Sequence, residues 1–103
     1  MATMFGPEGQ GSSREVPKFQ GGRYVMTAEA FRVLDPADVK AALDRHHRGD
    51  WGDLCPEDRQ ANEDALKTEE RLLSAYQDRN RRKFWIITEA DRSVTTVLLP
   101  EDY

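Results

Sequence analysis

Apolar and β-branched positions dominate the C-terminal third of the chain and predict strands there. Residues 83–89 are the most strand-like run, because aromatic and β-branched side chains follow one another and both types favour strands. Both faces of this run are apolar, which is typical of a central strand that is covered on each side. Residues 94–99 predict the next strand, and residues 90–93 predict the hairpin turn between the two. Pro100 ends the second strand because it has no N–H for the ladder.

The stretch 71–78 fits two structures. Leu72, Leu73 and Tyr76 can extend the preceding helix, since they continue its helical spacing, or they can form a strand. We predict a strand, because an isolated two-stranded hairpin is only marginally stable in water and the downstream strands need a partner. Residues 79–82 then form the polar turn that leads into the next strand.

A short helix is predicted over residues 28–34. The hydroxyl of Thr27 can accept a hydrogen bond from an orphan N–H of the first helical turn, which is the usual role of an N-cap. Phe31 and Leu34 are three residues apart, so they share one side of the helix, and we expect both to face the core.

Two longer helices follow, and each has proline as its first residue. Asp35 can cap a helix over residues 36–48, where the missing N–H of the proline costs nothing. Gly49 ends this helix as the left-handed residue after it. A third helix is predicted over residues 56–68, with two acidic residues in its first turn, where the helix dipole favours them.

The start of the chain differs in composition from the rest. Residues 1–22 are rich in glycine, proline and serine, and such a segment cannot bury enough apolar surface to offset the entropy of ordering it. We therefore predict a flexible arm over residues 1–22 and a single small α+β domain over residues 23–103. The domain begins with a short β-prone run at residues 23–26.

The predicted architecture consists of two or three N-terminal helices packed on a C-terminal three-stranded antiparallel meander. The two longer helices and the sheet are expected to share one core. The predicted members of this core are Phe31, Val39, Leu43, Trp51, Leu54, Leu66, Leu72, Tyr76, Trp85, Ile87, Val97 and Leu99.

Composition narrows the function classes. The 103 residues carry 33% charged side chains and a formal net charge of -4, and an acidic balance argues against a general nucleic-acid partner. No apolar run approaches the roughly 20 residues that span a bilayer, and no secretory signal is visible, so we expect a cytoplasmic protein without a membrane partner. The single cysteine, Cys55, excludes an internal disulfide and fits a reducing compartment.

Two strings of residues resemble known proteins. They are HRGDWGDL at residues 47–54 and WIITEADRSVTTVLLPEDY at residues 85–103. Both resemble small uncharacterised proteins of bacterial plasmids and integrated mobile elements, and the likeness extends over residues 25–103. The resemblance implies a bacterial or phage-borne accessory gene and brings no reaction with it. Such genes often encode toxins, antitoxins or inhibitors of host defence.

Glu89, Arg92, His46 and His47 are the candidate catalytic residues. A helix-then-meander layout with an acid, an arginine and hydroxyls on its strands is similar in outline to the barnase, colicin and RelE-type ribonucleases. In such chemistry Glu89 would take the 2′-hydroxyl proton, Arg92 would stabilise the phosphate, and a histidine would act as the acid. In the simpler interpretation Arg92 pairs with Glu89 beside a turn, His46 packs toward the core and His47 lies at the surface. The acidic net charge also counts against a nuclease.

Metal binding is not predicted. Two adjacent histidines, two aspartates and Cys55 lie close together in the sequence and are residue types that suit zinc. Adjacent histidines on a helix, however, point about 100° apart. No Cys-x-x-Cys or His-x-x-x-His pair accompanies them, and no cofactor is expected.

Charged clusters provide the candidate residues for binding a partner, and each cluster can equally be a solvated face. The acidic candidates lie on the third predicted helix and the basic ones at a hairpin tip. They are Glu57, Asp58, Glu63 and Asp64, and Arg79, Arg81 and Arg82.

We therefore predict a non-enzymatic protein-interaction module from a mobile element, acting as a host-defence inhibitor or in the manner of an antitoxin. It would bind a protein partner through the acidic helix face or the exposed edge of its sheet, since an unpaired edge is a template for association. The same edge can also pair two copies of the chain into a homodimer. The alternative is a metal-independent ribonuclease of the toxin type.

Overall fold

The computed structural model of the protein describes residues 17–103, so residues 1–16 of the predicted arm lie outside the described residues. Three helices and four strands make up the domain. In chain order they are β1 (Arg23–Met26), α1 (Ala28–Val33), α2 (Pro36–His47), α3 (Pro56–Thr68), β2 (Leu72–Gln77), β3 (Lys83–Thr88) and β4 (Val94–Leu98). A 3₁₀ turn at Pro100–Asp102 follows β4.

The start signals of the helices are confirmed. The Thr27 hydroxyl accepts a hydrogen bond from the Ala30 N–H at 3.2 Å, and the Asp35 carboxylate accepts one from the Ala37 N–H at 2.9 Å. Both longer helices have proline at the first position. Gly49 follows the end of α2 with a φ of 82°, a left-handed conformation that favours glycine.

The sheet has one strand more than predicted. The order of its strands is β1-β4-β3-β2, and β2, β3 and β4 form the predicted antiparallel meander, so the prediction of a strand at 71–78 is confirmed. The prediction of a three-stranded sheet was incomplete, because β1 pairs with β4 as a fourth, parallel strand. In this pair Arg23 lies opposite Val94 and Met26 opposite Val97. Almost the whole domain separates β1 from β4 in the chain, and no local pattern reports such a pairing.

Two apolar clusters replace the predicted single core. The larger one joins α1 and α2 to the sheet, and the smaller one lies under α3. The larger contains Ala30, Leu34, Val39, Ala42, Tyr76, Phe84, Ile86, Val97 and Leu99. The smaller contains Trp51, Ala65 and Leu72, with Phe19, Leu54 and Leu66 packed against it.

Phe31 was wrongly predicted to lie in the core, since its side chain is 76% exposed. The buried side of α1 consists of Ala30 and the C-terminal Leu34, with Val33 partly buried beside them. These residues follow the helical i, i+3, i+4 pattern, and Phe31, one residue after Ala30, is rotated about 100° away from Ala30. Phe31 is therefore the most exposed large apolar side chain of the described residues, because α1 buries Ala30 and not Phe31.

The described part of the predicted arm packs on the domain. The Lys18 N–H donates to the carbonyl of His47 at 2.8 Å. The ring of Phe19 lies 4.7 Å from the His47 ring and 6.3 Å from the Trp51 ring. The next glycine, Gly21, is buried. The packed structure thus begins upstream of β1.

Candidate functional site

One edge of the sheet is open along β1. The backbone N–H groups of Arg23 and Thr27 donate to carbonyls of the β4 segment, each at 3.0 Å. In a parallel pair the backbone N–H and C=O groups of every second residue point to the neighbouring strand. Those of Tyr24 and Met26 therefore point away from β4. Within residues 17–103 no strand lies on that side, because β1 ends the strand order. Four backbone hydrogen-bonding groups are thus available to an added strand.

Exposed apolar side chains surround this edge. The exposed fractions are 53% for Tyr24, 37% for Val25 and 76% for Phe31. Between β1, α1 and α2 lies a groove of about 530 Å³. Its lining is almost wholly apolar and consists of Tyr24, Val25, Met26, Ala28, Phe31, Val39, Leu43 and Val97. We call the outer edge of β1 together with this groove the β1 surface.

The opposite edge of the sheet, along β2, is covered. The side-chain amide of Asn62 on α3 donates to the Leu73 carbonyl at 2.6 Å and accepts from the Leu73 N–H at 3.1 Å, so it acts as a substitute for a neighbouring strand. Two residues further on, the Ala75 N–H donates to the Trp51 carbonyl at 3.2 Å and the Ala75 carbonyl accepts from the Asp53 N–H at 2.8 Å. The outward backbone groups of Leu73 and Ala75 are thereby satisfied within the domain.

A chain of buried hydrogen bonds runs beneath the sheet from β2 toward β1. His46 is fully buried, and its Nδ1 lies 2.5 Å from the Ser74 hydroxyl and its Nε2 2.9 Å from the Thr88 hydroxyl. Thr88 in turn lies 2.8 Å from the Thr95 hydroxyl, which donates to the Gly21 carbonyl at 2.7 Å. Because the carbonyl only accepts, the hydrogens of the whole chain are ordered, and His46 carries its proton on Nε2.

A neutral His46 fits this chain at both ring nitrogens, because Nε2 donates to Thr88 and Nδ1 accepts from Ser74. Burial is the main cause that lowers the pKa of His46 to about 3, and the nearby His47 and Arg92 lower it further. A group held neutral and enclosed on both ring nitrogens is unsuited to acid catalysis at neutral pH.

His47 lies at the mouth of a second depression. Its Nε2 is 2.7 Å from the Tyr24 hydroxyl, and both residues line a pocket of about 360 Å³ between the residues before β1 and α2. Burial lowers the pKa of His47 and raises that of Tyr24. Gly21 is required at this place, because a Cβ there would lie 2.7 Å from the His47 ring and 2.8 Å from the Tyr24 hydroxyl.

The candidate catalytic residues make separate contacts: His46 bonds to Ser74 and Thr88, His47 to Tyr24, and Arg92 to backbone carbonyls. The Arg92 guanidinium donates to backbone carbonyls, at 2.7 Å to Glu70 and at 3.1 Å to Glu89, and so it joins a hairpin to the end of α3. Phe19 contacts both Arg92 and His46, with the guanidinium 5.8 Å from its ring and the His46 ring at 5.1 Å. Arg92 therefore contacts the main chain of Glu89, and the simpler side-chain pairing expected from the sequence is replaced by these carbonyl contacts.

The acidic candidates on α3 fall into two groups. Glu57 and Asp58 are exposed in the first turn of the helix. Glu63 accepts a hydrogen bond at 2.8 Å from the indole N–H of the buried Trp51, so it belongs to the packing of the smaller cluster. Asp64 is exposed and accepts from the Gln60 amide at 3.0 Å.

The basic candidates lie at the β2–β3 hairpin, as predicted. Arg79 donates to the Asp38 carboxylate through its backbone N–H at 2.8 Å and through its guanidinium at 3.0 and 3.1 Å. These hydrogen bonds hold the pKa of Asp38 below its usual range. Arg81 and Arg82 are exposed, and Arg81 has a φ of 63° in the turn. Of the three arginines, Arg79 thus fastens the hairpin to α2.

The described residues contain no group of three or more histidine, cysteine or acidic side chains placed to hold a metal ion. Cys55 is exposed at the residue before α3. No helix within residues 17–103 has the length and apolar character needed to cross a membrane.

Sequence reasoning named a sheet edge as a binding surface but did not identify the residues of the β1 surface. The missing information was the position of β1 in the sheet, which makes Tyr24 and Val25 edge residues. For Phe31 the local spacing was ambiguous, because Ala30 and Phe31 both have the spacing that places a residue on the same side of a helix as Leu34.

Comparisons with known proteins found no relative of this chain. No protein-family model matches it, and neither a curated protein nor a solved structure is significantly similar to it.

Proposed function

We propose that this protein is a non-enzymatic protein-interaction module, an accessory protein of a bacterial mobile element that acts as a host-defence inhibitor or in the manner of an antitoxin. Its binding site is the β1 surface. The observation that carries this proposal is the unpaired edge of β1 beside three exposed apolar side chains, on a sheet whose other edge is covered. The assignment to a mobile element comes from the resemblance of residues 47–54 and 85–103.

An open strand edge and an apolar groove together specify one mode of recognition. An extended segment can add to β1 through the N–H and C=O groups of Tyr24 and Met26, which gives affinity without regard to side chains. Alternate side chains of such a segment point to the same face of the sheet as the groove. The expected partner segment is therefore extended and apolar at every second position.

Exposed apolar patches on a protein surface are often interaction sites. Sheets usually protect their edges with charges, bulges or a covering segment. Within residues 17–103, α3 and the loop around Gly52 cover β2, no segment covers the outer edge of β1, and Phe31 is the most exposed large apolar side chain. A binding function accounts for this asymmetry.

Capture of partners from a bacterial lysate with matched variants tests the site. The variant Phe31→Asp places a charge in the groove without touching the core, and it is expected to lose the proteins that the wild type retains in stoichiometric amount. Asp64→Lys changes the exposed acidic face of α3 and is expected to retain them. Equal retention by Phe31→Asp, or loss only with Asp64→Lys, would move the site away from β1.

A ribonuclease assay tests the non-enzymatic part of the proposal. The protein is expected to leave RNA intact in EDTA, because His46 is enclosed and Arg92 is occupied by backbone carbonyls. RNA degradation that Glu89→Ala abolishes would contradict the proposal and establish a toxin-type nuclease.

A further inference from the structure

We propose that a second copy of this chain occupies the β1 surface, with the two β1 strands antiparallel and the twofold axis at Val25. The proposal rests on the interaction surface described above and names its occupant. The two sheets would then join into one continuous sheet, and any other partner would have to displace the second copy.

The spacing of the outward backbone groups selects this register. Tyr24 and Met26 both point away from β4 and are two residues apart, with Val25 between them. An axis at Val25 places Tyr24 of each copy opposite Met26 of the other, which gives two such pairs. Directly opposed residues of this kind exchange both of their N–H···O bonds, so all the outward groups of both strands are satisfied. An axis at Tyr24 or at Met26 would leave the other residue of each copy without a partner.

The side chains agree with the same register. The two Val25 residues become a directly opposed pair that is not hydrogen-bonded, the type in which side chains approach most closely. Val25 is 37% exposed in a single copy, and in the dimer each Val25 covers the exposed surface of the other. On the opposite face, Tyr24 and Met26 of the second copy lie next to the groove that Phe31 and Leu43 line.

Charge complementarity supports a second copy as the occupant. An axis at Val25 places Arg23 opposite Thr27 of the other copy. The Thr27 hydroxyl donates to the Asp102 carboxylate at 2.7 Å, so Asp102 lies beside that position. The guanidinium of Arg23 therefore meets a carboxylate of the second copy, and symmetry repeats the contact. These pairs lie at the ends of the shared ladder, where they favour the correct register over shifted ones.

Disulfide trapping tests the register. In a Cys55→Ser background, Val25→Cys is expected to form a covalent dimer rapidly on mild oxidation, because the Cα atoms of such a pair lie about 4.5 Å apart and disulfides span roughly 4.4–6.8 Å. The matched control is Arg23→Cys in the same background. In this register two Arg23 residues are separated by about 13 Å along the strands, so the control is expected to form no disulfide. Faster trapping of Arg23→Cys than of Val25→Cys would overturn the register.

Sedimentation equilibrium of the full chain tests the dimer without cysteines. The wild type is expected to show a concentration-dependent monomer–dimer equilibrium, and Arg23→Glu is expected to weaken dimerisation about tenfold by placing like charges at both ends of the ladder. Lys83→Glu makes the same charge change at the exposed start of β3 and is expected to leave the dimer unchanged. A monomer at every concentration, together with no trapping of Val25→Cys, would refute the dimer.

Failure of this proposal and failure of the proposed function give different results. A monomeric wild type whose partner capture is still abolished by Phe31→Asp would remove the second copy and leave the β1 surface as the binding site. A dimer trapped at Val25, with partner capture insensitive to Phe31→Asp, would leave the dimer and remove the proposed function.

Discussion

The two edges of the sheet are built in opposite ways. Along β2, the outward backbone groups of Leu73 and Ala75 are satisfied by a side chain of α3 and by the loop around Gly52. Along β1, Tyr24 and Met26 have no such cover within residues 17–103, and the side chains around them are apolar. The comparison shows that this small domain has the means to close a strand edge and uses them on one edge only.

The closure of β2 depends on contacts that tolerate little change, whereas three side chains of the β1 surface, those of Tyr24, Val25 and Phe31, are exposed and lie outside the buried core. Substitutions on the two edges should therefore differ in kind. Those on β2 should reduce stability, and those on β1 should reduce association while stability is retained. The following predictions test this difference, beginning with the largest expected effect.

Gly52→Ala is expected to be the most damaging change at the covered edge. Gly52 has a φ of 78°, and an added Cβ would lie 1.9 Å from the Ala75 carbonyl oxygen, so the loop must leave β2. We expect a loss of about 3 kcal/mol or more in the free energy of unfolding, measured by urea denaturation. Gly49→Ala is the matched control, since Gly49 also has a positive φ of 82° but approaches only the side chain of Lys18. Its expected loss is about 1 kcal/mol, and equal losses would show that the contact with β2 is unimportant.

Asn62→Ala removes the other cover of β2. Both backbone groups of Leu73 lose their partner, and a buried group left without a hydrogen bond costs about 1–3 kcal/mol. The expected loss of stability is about 2 kcal/mol. Gln60→Ala, on the same helix but bonded only to the exposed Asp64, should change stability by less than about 0.5 kcal/mol. A neutral Asn62→Ala would mean that the amide does not act as a strand substitute.

The buried chain of hydrogen bonds that runs from β2 toward β1 should make stability depend on pH. Folding lowers the pKa of His46 from 6.5 to about 3, so below pH 6.5 the unfolded chain binds a proton that the folded chain does not. Stability is therefore fully present above about pH 7 and falls as the pH decreases. Between pH 7 and pH 5 the expected decrease from this group is about 2 kcal/mol, and the lowered pKa of His47 adds to it in the same direction.

Urea denaturation at several pH values, with His46→Gln beside the wild type, measures this dependence. The variant is expected to be less stable at pH 7 but to lose less stability between pH 7 and pH 5. A wild type whose stability is constant over this interval would show that His46 is not held neutral by the fold.

Phe31→Asp is expected to have the smallest effect on stability. The side chain is 76% exposed on α1, and substitutions at such positions usually change stability by less than about 0.5 kcal/mol. The same variant should abolish partner capture, so binding and stability separate at this position. A loss of about 2 kcal/mol or more, a size typical of the core, would place Phe31 in the packing of the domain.

Local physical signals were sufficient for most elements of the fold. Thr27 and Asp35 cap their helices through the hydrogen bonds expected of those side chains, and the run at 83–89 forms a central strand because its residues favour one. The choice of a strand at 71–78 was correct for the physical reason given, since a hairpin needs a further partner.

The features that could not be predicted depend on contacts between distant parts of the chain. The sequence around β1 predicts a strand but does not say that it pairs with β4. Asn62 looks like an ordinary polar residue of a helix until α3 is placed against Leu73. The two sheet edges are therefore defined by tertiary packing, and with them the candidate site. His46 was correctly predicted to lie on the core side, but its hydrogen-bonding partners, Ser74 and Thr88, come from two different strands.

Hydrogen exchange of individual backbone amides, measured by NMR on a dilute sample, tests the difference between the two edges most directly. The amides of Leu73 and Ala75 should be protected, and those of Tyr24 and Met26 should exchange rapidly although their neighbours Arg23 and Val25 are protected by β4. At high concentration Tyr24 and Met26 should become protected as the second copy binds. Equal protection of both edges in the dilute sample would contradict an open β1 edge and, with it, the proposed binding surface.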